Sequence, residues 1–438
     1  MTAVPITHAR IFRLAMPIVL SNATVPLLGA VDTAVIGQLG DPASLGAVGL
    51  GAVILATLYW AFGFLRMSTS GLASQAKGAG DAGECAAVLI RALIIAASAG
   101  FALVLLQQAL FSGAFALAPA SPTVEGFARQ YLAVRIWGAP ATIALYALTG
   151  WLVGMERTRG VLILQLWQNG LNILLALWFV LGLGWGVRGV AFATLIAEWG
   201  GLALALWLAR DMFGASLRAG LARLRDRHAV ALMFRASRNI MIRTVILQLA
   251  FTTFVFLGAR FGDVTLAANQ VLMQFLEVTA YALDGFAIAA ETLVGQAVGA
   301  RAEREIRAAS RISMQWGFGG ALALALIVWA FGPMFIDLMT TSPEVREEAR
   351  RYLLWLTLAP VIGFAAWVFD GIFIGAMLTA DMLRAMLFSS AIYLLALALL
   401  VPSLGNHGLW ISLMILNGTR TLTLWRLYPK VPALGLHA

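Results

Sequence analysis

The chain has 438 residues, of which 61% are hydrophobic and only 12% are charged. This balance excludes a soluble globular protein, because so few polar side chains could not cover its surface. Continuous apolar runs of about 20 residues, rather than short alternating segments, indicate membrane-spanning helices and argue against a strand-based barrel. The net charge of +9 comes from basic residues in short loops between spans. We therefore interpret it as a positive-inside bias and expect no nucleic acid partner.

The N-terminal apolar run follows His8, Arg10 and Arg13 and is too long for a signal peptide, so we expect it to remain as the first helix. The single cysteine, Cys85, excludes an intrachain disulfide and a cysteine-based metal site. The four histidines lie at termini or in loops without metal-ligand spacing, and neither a dinucleotide motif nor a P-loop is present. The sequence therefore predicts no enzyme activity, no cofactor and no ATP site.

Twelve spans are predicted, which gives an all-α polytopic membrane protein with two pseudo-symmetric six-helix lobes. At about 1.5 Å rise per residue, the spans are long enough to cross the hydrocarbon core of a bilayer. The spans are 14–38, 46–72, 87–111, 127–153, 161–183, 187–209, 239–258, 266–291, 309–332, 352–376, 383–402 and 405–425.

The distribution of Lys and Arg predicts the orientation of the chain. The connection 210–238 holds seven Arg and two acids, and other basic residues concentrate at the N-terminus, in the even-numbered loops and at the C-terminus. By the positive-inside rule, both termini and this connection should be cytoplasmic. The mixed-charge outer loop 337–351 follows that rule weakly and does not reverse the prediction. We expect a multi-pass protein of the inner or plasma membrane that acts as a monomer.

The chain repeats itself at an offset of about 221 residues. LASQAKGA at 72–79 matches LVGQAVGA at 293–300, and Gly150 matches Gly371. Matches in the same order along each half indicate a duplication. Because six spans is an even number, both halves enter the membrane the same way, with a site expected near mid-membrane. The predicted divisions are an N-lobe at 1–209, an Arg-rich cytoplasmic linker at 210–238 and a C-lobe at 239–438.

Asp32 is the most conspicuous ionisable residue within a span, because a charge at that depth is costly and marks a transport pathway. The same span carries Pro17 and Pro26, which favour kinks. Burial favours a protonated carboxyl, so Asp32 could switch the helix between straight and bent forms. The alternative is an aspartate held by its neighbours with a purely structural role. The charged residues that we assign to spans are Asp32, Arg66, Glu198, Glu277, Asp284, Glu291 and Asp370. We interpret Arg66 as a structural cation.

The fifth and sixth spans offer polar partners for Asp32. In the fifth span, the amide side chains of Gln165, Asn169 and Asn172 share one face by their spacing. In the sixth span, the Thr194 hydroxyl and the Glu198 carboxylate lie one turn apart. Either these groups form a hydrogen-bonded pocket with Asp32, or they join helices as interhelical hydrogen bonds. The polar residues are Gln165, Gln168, Asn169, Asn172, Thr194 and Glu198.

Three acids of the eighth span lie on one stripe. Glu277, Asp284 and Glu291 are seven residues apart, so they should face the protein interior or water rather than lipid. Glu291 lies near the cytoplasmic end and could also be an interfacial charge. In the tenth span, Asp370 aligns with Thr149 of the first half, so the two halves are not chemically equivalent.

Four stretches together resemble the multidrug and toxic compound extrusion (MATE) superfamily, and most closely its DNA-damage-inducible (DinF) branch. The resemblance implies a transporter that alternates between outward and inward access. It also implies exchange of inward-flowing H+ or Na+ for outward-moving organic compounds, often cationic or amphipathic. The stretches are PIVLSNATVPLLGAVDTAVIGQLG, FGFLRMSTSGLASQAKGAGD, LDGFAIAAETLVGQAVGAR and FDGIFIGA.

The resemblance assigns the coupling ion to Asp32, with Asn172 and Thr194 as polar residues of the same N-lobe site. It also places Asp370 at a C-lobe acid of the family and Asp284 in a block typical of the branch. The region near Gln248 lacks the C-lobe glutamate of another branch.

One departure from the branch concerns the coupling ion. The second acid that the branch carries four residues after Asn172 is Ala176 here. Hard cations take several oxygen ligands and gain from formal negative charge. The loss therefore favours H+ over Na+, although Glu198 could partly restore the charge.

The leading hypothesis is a secondary active antiporter that exports small organic compounds in exchange for H+. A Na+-coupled exporter of the same type and a flippase of lipid-linked precursors are the alternatives. The flippase relatives have a strongly cationic cavity, whereas the charges assigned to spans here are mainly acidic. A membrane enzyme or a channel is disfavoured, because neither a nucleophile or metal constellation nor a repeated pore motif is present. The expected partners are small organic molecules and the lipid bilayer.

Overall fold

The computed structural model describes residues 5–38, 41–117 and 119–436, except for the side chains of 25–30, 33 and 215. Across these residues the chain forms helices and no strand, which confirms the all-α prediction. Twelve long helical segments follow one another. They are α1 His8–Gly37, α2 Pro42–Gly78, α3 Ala82–Leu117, α4 Pro122–Gly154, α5 Thr158–Gly182, α6 Gly186–Leu208, α7 Arg227–Phe261, α8 Asp263–Gly299, α9 Glu303–Met339, α10 Pro343–Gly375, α11 Thr379–Leu404 and α12 Asn406–Leu427.

Each predicted span overlaps one of these segments, which confirms the twelve-helix arrangement. Within the described residues, the ten segments α2 to α11 are long and apolar enough to cross a membrane. Of the other two, α1 includes side chains outside the described set, and α12 carries Asn406, Asn417 and Arg420.

Several segments begin with the same local signal, a capping side chain followed by proline. Asp41 accepts hydrogen bonds from the backbone N–H groups of Ala43 at 3.1 Å and Ser44 at 3.2 Å at the start of α2. Ser121 and Ser342 cap α4 and α10 in the same way. These caps satisfy N–H groups that have no partner within the helix, and proline fits the first helical position because it has no N–H to lose.

In the described residues, four segments depart from regular α-helix. Residues 61–63 form a turn within α2, Ile136–Gly138 is a 3₁₀ turn within α4, Leu177–Gly182 is a π-helical end of α5, and Ala259–Phe261 is a 3₁₀ end of α7. Such departures change the direction of nearby side chains and are frequent at functional sites. The turn in α4 adjoins a buried ion pair described below.

The chain packs as two compact units. The N-unit comprises Leu20–Ala73 and Asp81–Met233, and the C-unit comprises Met1–Val19, Ser74–Gly80 and Phe234–Ala438. Each has its own apolar core, the first built around residues such as Leu132 and Ala147, the second around residues such as Phe254 and Trp410. These units are defined by packing, so the predicted lobe boundaries at the 210–238 linker stay a prediction.

The duplication is visible in close helix contacts inside the C-unit. A Cβ atom on Gly78 would overlap the backbone oxygen of Gln296, and one on Gly299 would overlap the backbone oxygen of Gln75. Gly78 corresponds to Gly299 in the repeat, and Gln75 corresponds to Gln296. The two copies of the motif therefore contact each other reciprocally, as a pseudo-twofold relation requires.

Equivalent glycines also set equivalent contacts within each unit. Gly150 of α4 lies against the backbone of Arg66 in the N-unit, and Gly371 of α10 lies against the backbone of Ala287 in the C-unit. Arg66 and Ala287 are themselves equivalent in the repeat. Small residues allow helix backbones to approach closely in membranes. The repeat thus preserves one helix-packing contact in both halves.

The Arg-rich linker includes a short helix, Ala215–Ala222, that packs on α3 in the N-unit. Gly220 lies against Ala86, and Arg91 Nη2 donates to the carbonyl oxygen of Arg223 at 2.6 Å. Arg223 in turn pairs with Asp81 at 2.5 Å. At least this part of the linker is therefore docked on a helix end.

We expect Gly371→Ala to lower the free energy of unfolding by about 1–3 kcal/mol, because the added methyl group must push α10 away from α8. Gly319→Ala is the matched control, since no atom lies within 4 Å of a Cβ at that helix position. The measurement is thermal and denaturant unfolding in detergent. Equal stability of the two variants would contradict the close contact.

We expect Asp81→Asn to speed hydrogen exchange of the 215–222 amides, because it removes the ion pair with Arg223. The hydrogen bond from Arg223 lowers the pKa of Asp81 below its ordinary value. The contribution of the pair is therefore complete above the ordinary pKa and is lost as the pH falls through the lowered one. In the wild type, exchange should be protected at neutral pH and should approach that of the variant in acid. Asp337→Asn, which removes a pair with Arg350 at another connection, is the control.

Candidate functional site

A cavity of about 300 Å³ lies in the N-unit among α2, α4, α5 and α6. All six polar residues predicted on the fifth and sixth spans contribute to its wall. The structure therefore brings this set together. The lining residues are Arg66, Thr142, Leu145, Tyr146, Thr149, Gln165, Gln168, Asn169, Asn172, Thr194, Ala197 and Glu198.

Asn172 joins α5 to α6 at this cavity. Its Nδ2 donates to Thr194 Oγ1 at 2.8 Å, and Thr194 Oγ1 donates to the carbonyl oxygen of Val190 at 3.1 Å. The Oδ1 atom of Asn172 is shielded from solvent and has no hydrogen-bond partner in the described part of the chain. A buried acceptor of this kind costs free energy unless a ligand or water satisfies it. The amide thus has both a structural bond and an unused acceptor.

Asn169 connects the same cavity to α1. Its Nδ2 donates to Thr24 Oγ1 at 3.0 Å and to the Thr24 carbonyl oxygen at 3.2 Å, while Gln165 Nε2 donates to Asn169 Oδ1 at 3.0 Å. Thr24 lies about two turns before Asp32 on α1. A polar chain therefore runs from the cavity wall to the helix that carries the predicted coupling acid.

Asp32 is half-buried on α1, and its Oδ1 has no hydrogen-bond partner among the residues described. The guanidinium of Arg135 acts on it electrostatically. The helix is continuous through Pro17, which is buried, and through position 26. The side chain of Pro26 lies outside the described residues, and bending at the two prolines stays a prediction.

Arg135 also pairs with Glu198. Its Nη1 donates to Glu198 Oε2 at 2.6 Å and its Nη2 donates to Oε1 at 2.9 Å, with both side chains largely buried. Gly138, in the 3₁₀ turn of α4, makes room for the carboxylate, since a Cβ there would overlap Glu198 Oε2. Arg135 is therefore fixed to Glu198 by two hydrogen bonds in a buried place.

Sequence reasoning missed Arg135, although it lies inside the predicted span 127–153. It also missed Arg91, Arg243 and Arg420, which lie inside other predicted spans. The interpretation that the charges within spans are mainly acidic was therefore wrong. The sequence already indicated these arginines, because a charged side chain within an apolar span is costly whether it is an acid or an arginine.

The predicted acids of the second half belong to the C-unit and do not line this cavity. Asp370 pairs with both Arg243 and Arg420. Along α8, Glu277 is exposed, Asp284 is half-buried and Glu291 is buried, so the stripe runs from the surface into the packed interior.

Comparison with known proteins gives one consistent family. The MatE family model matches residues 17–178 and 240–400, one segment in each half of the chain. DNA damage-inducible protein F of Escherichia coli (strain K12) is 39% identical over 95% of this chain and 91% of its own length. A probable multidrug resistance protein NorM of Neisseria meningitidis serogroup B is 26% identical over 79% of this chain and 76% of its own.

A solved structure shows the same fold. An outward-facing multidrug resistance MATE family transporter of the MOP superfamily superposes with a TM-score of 0.87 at 20% identity. The superposition covers 98% of this chain and 96% of that one. At that identity the match establishes the arrangement of the helices.

We expect Arg135→Gln and Glu198→Gln each to be strongly destabilising, because each leaves a buried partner without its counter-charge. Breaking a buried pair costs roughly 3–5 kcal/mol, whereas replacing both members is often nearly neutral. The double variant Arg135→Gln/Glu198→Gln should therefore recover most of the loss. Unfolding in detergent measures all three variants. Additive losses in the double variant would show that the two side chains do not depend on each other.

Proposed function

Because the chain belongs to the MatE family of multidrug and toxic compound extrusion transporters, we propose that it exports small organic compounds in exchange for H+. The family consists of membrane transporters, and this chain is a multi-pass member. The proposed substrates are cationic or amphipathic. The resistance functions in the names of the similar proteins support this class of substrate.

The observation that carries the proposal is the environment of Asp32. One of its oxygens is shielded and unpaired, while the nearby Arg135 is held by Glu198 through two hydrogen bonds. A proton on Asp32 would remove one negative charge and leave the Arg135–Glu198 pair intact. Protonation would therefore change the charge of the site by one unit without dismantling its framework.

This arrangement suits exchange rather than co-transport. An ionised Asp32 makes the site more negative by one charge and therefore more attractive to an organic cation. Protonation of Asp32 removes that charge and weakens the attraction. A proton and a cationic substrate thus compete for the same charge, and the loading of one favours the release of the other. Alternating access of the site to the two sides of the membrane would turn this competition into antiport.

The cavity wall supplies the binding surface for such a compound. Gln165, Gln168 and Tyr146 bring polar and aromatic groups to a space of about 300 Å³. Pockets of that size bind by shape and apolar area, with a few polar groups fixing orientation. This supports a range of small substrates over one specific ligand.

The proposed coupling ion is H+ rather than Na+. Ala176, where the resemblance implies a second acid, is completely buried and supplies no oxygen from its side chain. Glu198, the nearby carboxylate, already accepts two hydrogen bonds from Arg135. A sodium ion would have one carboxylate ligand fewer than the resemblance implies, whereas a proton needs only Asp32. The Na+-coupled exporter and the lipid-linked precursor flippase are the alternatives that the test below separates.

We further propose that the monomer works in the inner or plasma membrane with both termini in the cytoplasm. The docked linker and its arginines would then lie on the cytoplasmic side, as the positive-inside rule requires.

We expect Asp32→Asn to reduce proton-driven accumulation of ethidium in everted membrane vesicles to background, because the amide cannot carry the proton. Asp370→Asn and Glu198→Gln should lose less when accumulation is normalised to the amount of folded protein in the vesicles. Asp41→Asn is the matched control: it makes the same change at the N-cap of α2, where asparagine also caps well. Accumulation is followed by fluorescence after a proton gradient is imposed in sodium-free buffer.

Three results would overturn this proposal. Accumulation driven by a sodium gradient alone would replace H+ with Na+ as the coupling ion. Wild-type accumulation by Asp32→Asn would remove Asp32 from the mechanism. Translocation of a lipid-linked precursor without ethidium transport would favour the flippase.

A further inference from the structure

The C-unit contains a buried cluster of two arginines and one carboxylate that the proposed export mechanism does not use. Arg243 of α7 and Arg420 of α12 both donate to the same oxygen, Oδ2 of Asp370 on α10, the second at 2.6 Å. Arg420 Nη1 also donates to Asn417 Oδ1 at 3.1 Å. The arginine side chains are only 6% and 3% exposed.

The charges of this cluster do not balance. Within the described residues, Asp370 is the one carboxylate that pairs with either guanidinium. Two positive charges and one negative charge leave a net charge of +1 in a buried place. A buried charge without a counter-charge is costly, so the cluster should be stabilised by a second anion.

The cluster also has unused hydrogen-bond donors. Arginine carries five N–H donors in a planar fork. One N–H of Arg243 is used by Asp370, and no other side chain or carbonyl in the described residues accepts from it. A planar carboxylate could take two parallel hydrogen bonds from such a fork. The geometry therefore suits an oxyanion better than a spherical ion.

The repeat places Asp370 of this cluster at a position of the N-unit cavity. Asp370 aligns with Thr149, which lines that cavity. The same position thus carries a hydroxyl in one unit and a carboxylate held by two arginines in the other.

We propose that Arg243 and Arg420 form an oxyanion-binding site in the C-unit, which takes the carboxylate or phosphate group of a small organic ligand. Asp370 occupies the site when no ligand is bound and competes with it for the two guanidinium groups. If the ligand is a transported compound, which rests on the proposed function, the substrates include zwitterions and organic acids. Binding itself does not depend on the coupling ion.

The test is the affinity of the purified full-length protein for benzoate, a probe with one carboxylate. Binding is followed by the shift in thermal unfolding of the tryptophan fluorescence in phosphatidylcholine nanodiscs, using the 14 tryptophans of the chain. Benzoate should stabilise the wild type, and benzamide, its neutral analogue, should not. Equal effects of benzoate and benzamide, or no effect of benzoate, would overturn the proposal.

The variants separate binding from a structural role. Arg420→Gln should weaken benzoate binding about tenfold or more, because one charged hydrogen-bond donor is lost. It leaves a balanced Arg243–Asp370 pair, so the protein should still fold. Arg420→Lys should keep part of the affinity through its charge. Asp370→Asn should bind benzoate about tenfold more tightly, because the internal competitor is removed.

If the arginines only held α10 in place, Arg420→Gln and Asp370→Asn would not change the affinity for benzoate in opposite directions. Unchanged affinity in both variants would overturn the proposal. Asp32→Asn should bind benzoate like the wild type, so a failure of proton coupling and a failure of this site give different results.

Phosphatidylglycerol nanodiscs identify the natural source of the anion. Loss of the benzoate shift there would support a lipid phosphate in the site, and its persistence would support a soluble acid.

Discussion

Ion pairs between arginine and carboxylate inside apolar helices are the constraint on which this structure depends. A charged side chain in the hydrocarbon core is costly by itself, and it becomes tolerable when a partner of opposite charge and further hydrogen bonds accompany it. The N-unit meets this requirement with Arg135 and Glu198, and the C-unit with Asp370 between Arg243 and Arg420. Each pair joins helices that are far apart in sequence, so charge placement and helix packing are decided together. A proton or a ligand that alters one of these charges therefore acts on the packing of a whole unit.

Glycine makes these pairs possible by allowing helices to approach. Gly138 leaves space for the Glu198 carboxylate beside Arg135, and Gly371 brings α10 against the backbone of α8 one residue after Asp370. A methyl group at Gly138 would displace the Glu198 carboxylate, and one at Gly371 would push α10, which carries Asp370, away from α8. The glycines that the repeat retains at 150 and 371 are thus explained by backbone contact, while the polar residues near them are free to differ between the halves.

The sequence was sufficient for the helices and for the residues of the N-unit cavity. Long apolar runs located all twelve segments, and helical spacing placed Gln165, Asn169 and Asn172 on a common wall. It was not sufficient for the pairing of charges. Periodicity states which face a residue occupies but not which helix lies opposite, so the contact of Arg135 with Glu198, 63 residues away, could not be derived. The docking of the 215–222 helix on α3 was missed for the same reason, since its residues look like an ordinary basic connection.

Duplication explains why one chain can combine two sites that differ in charge. The two halves share a helix arrangement, so equivalent positions such as Thr149 and Asp370 face equivalent parts of their own units. Once the backbone is fixed by glycine contacts, the charge at these positions can change if a local partner changes with it. In the N-unit, a proton on Asp32 would remove one negative charge. In the C-unit the excess charge is positive and is best balanced by an oxyanion.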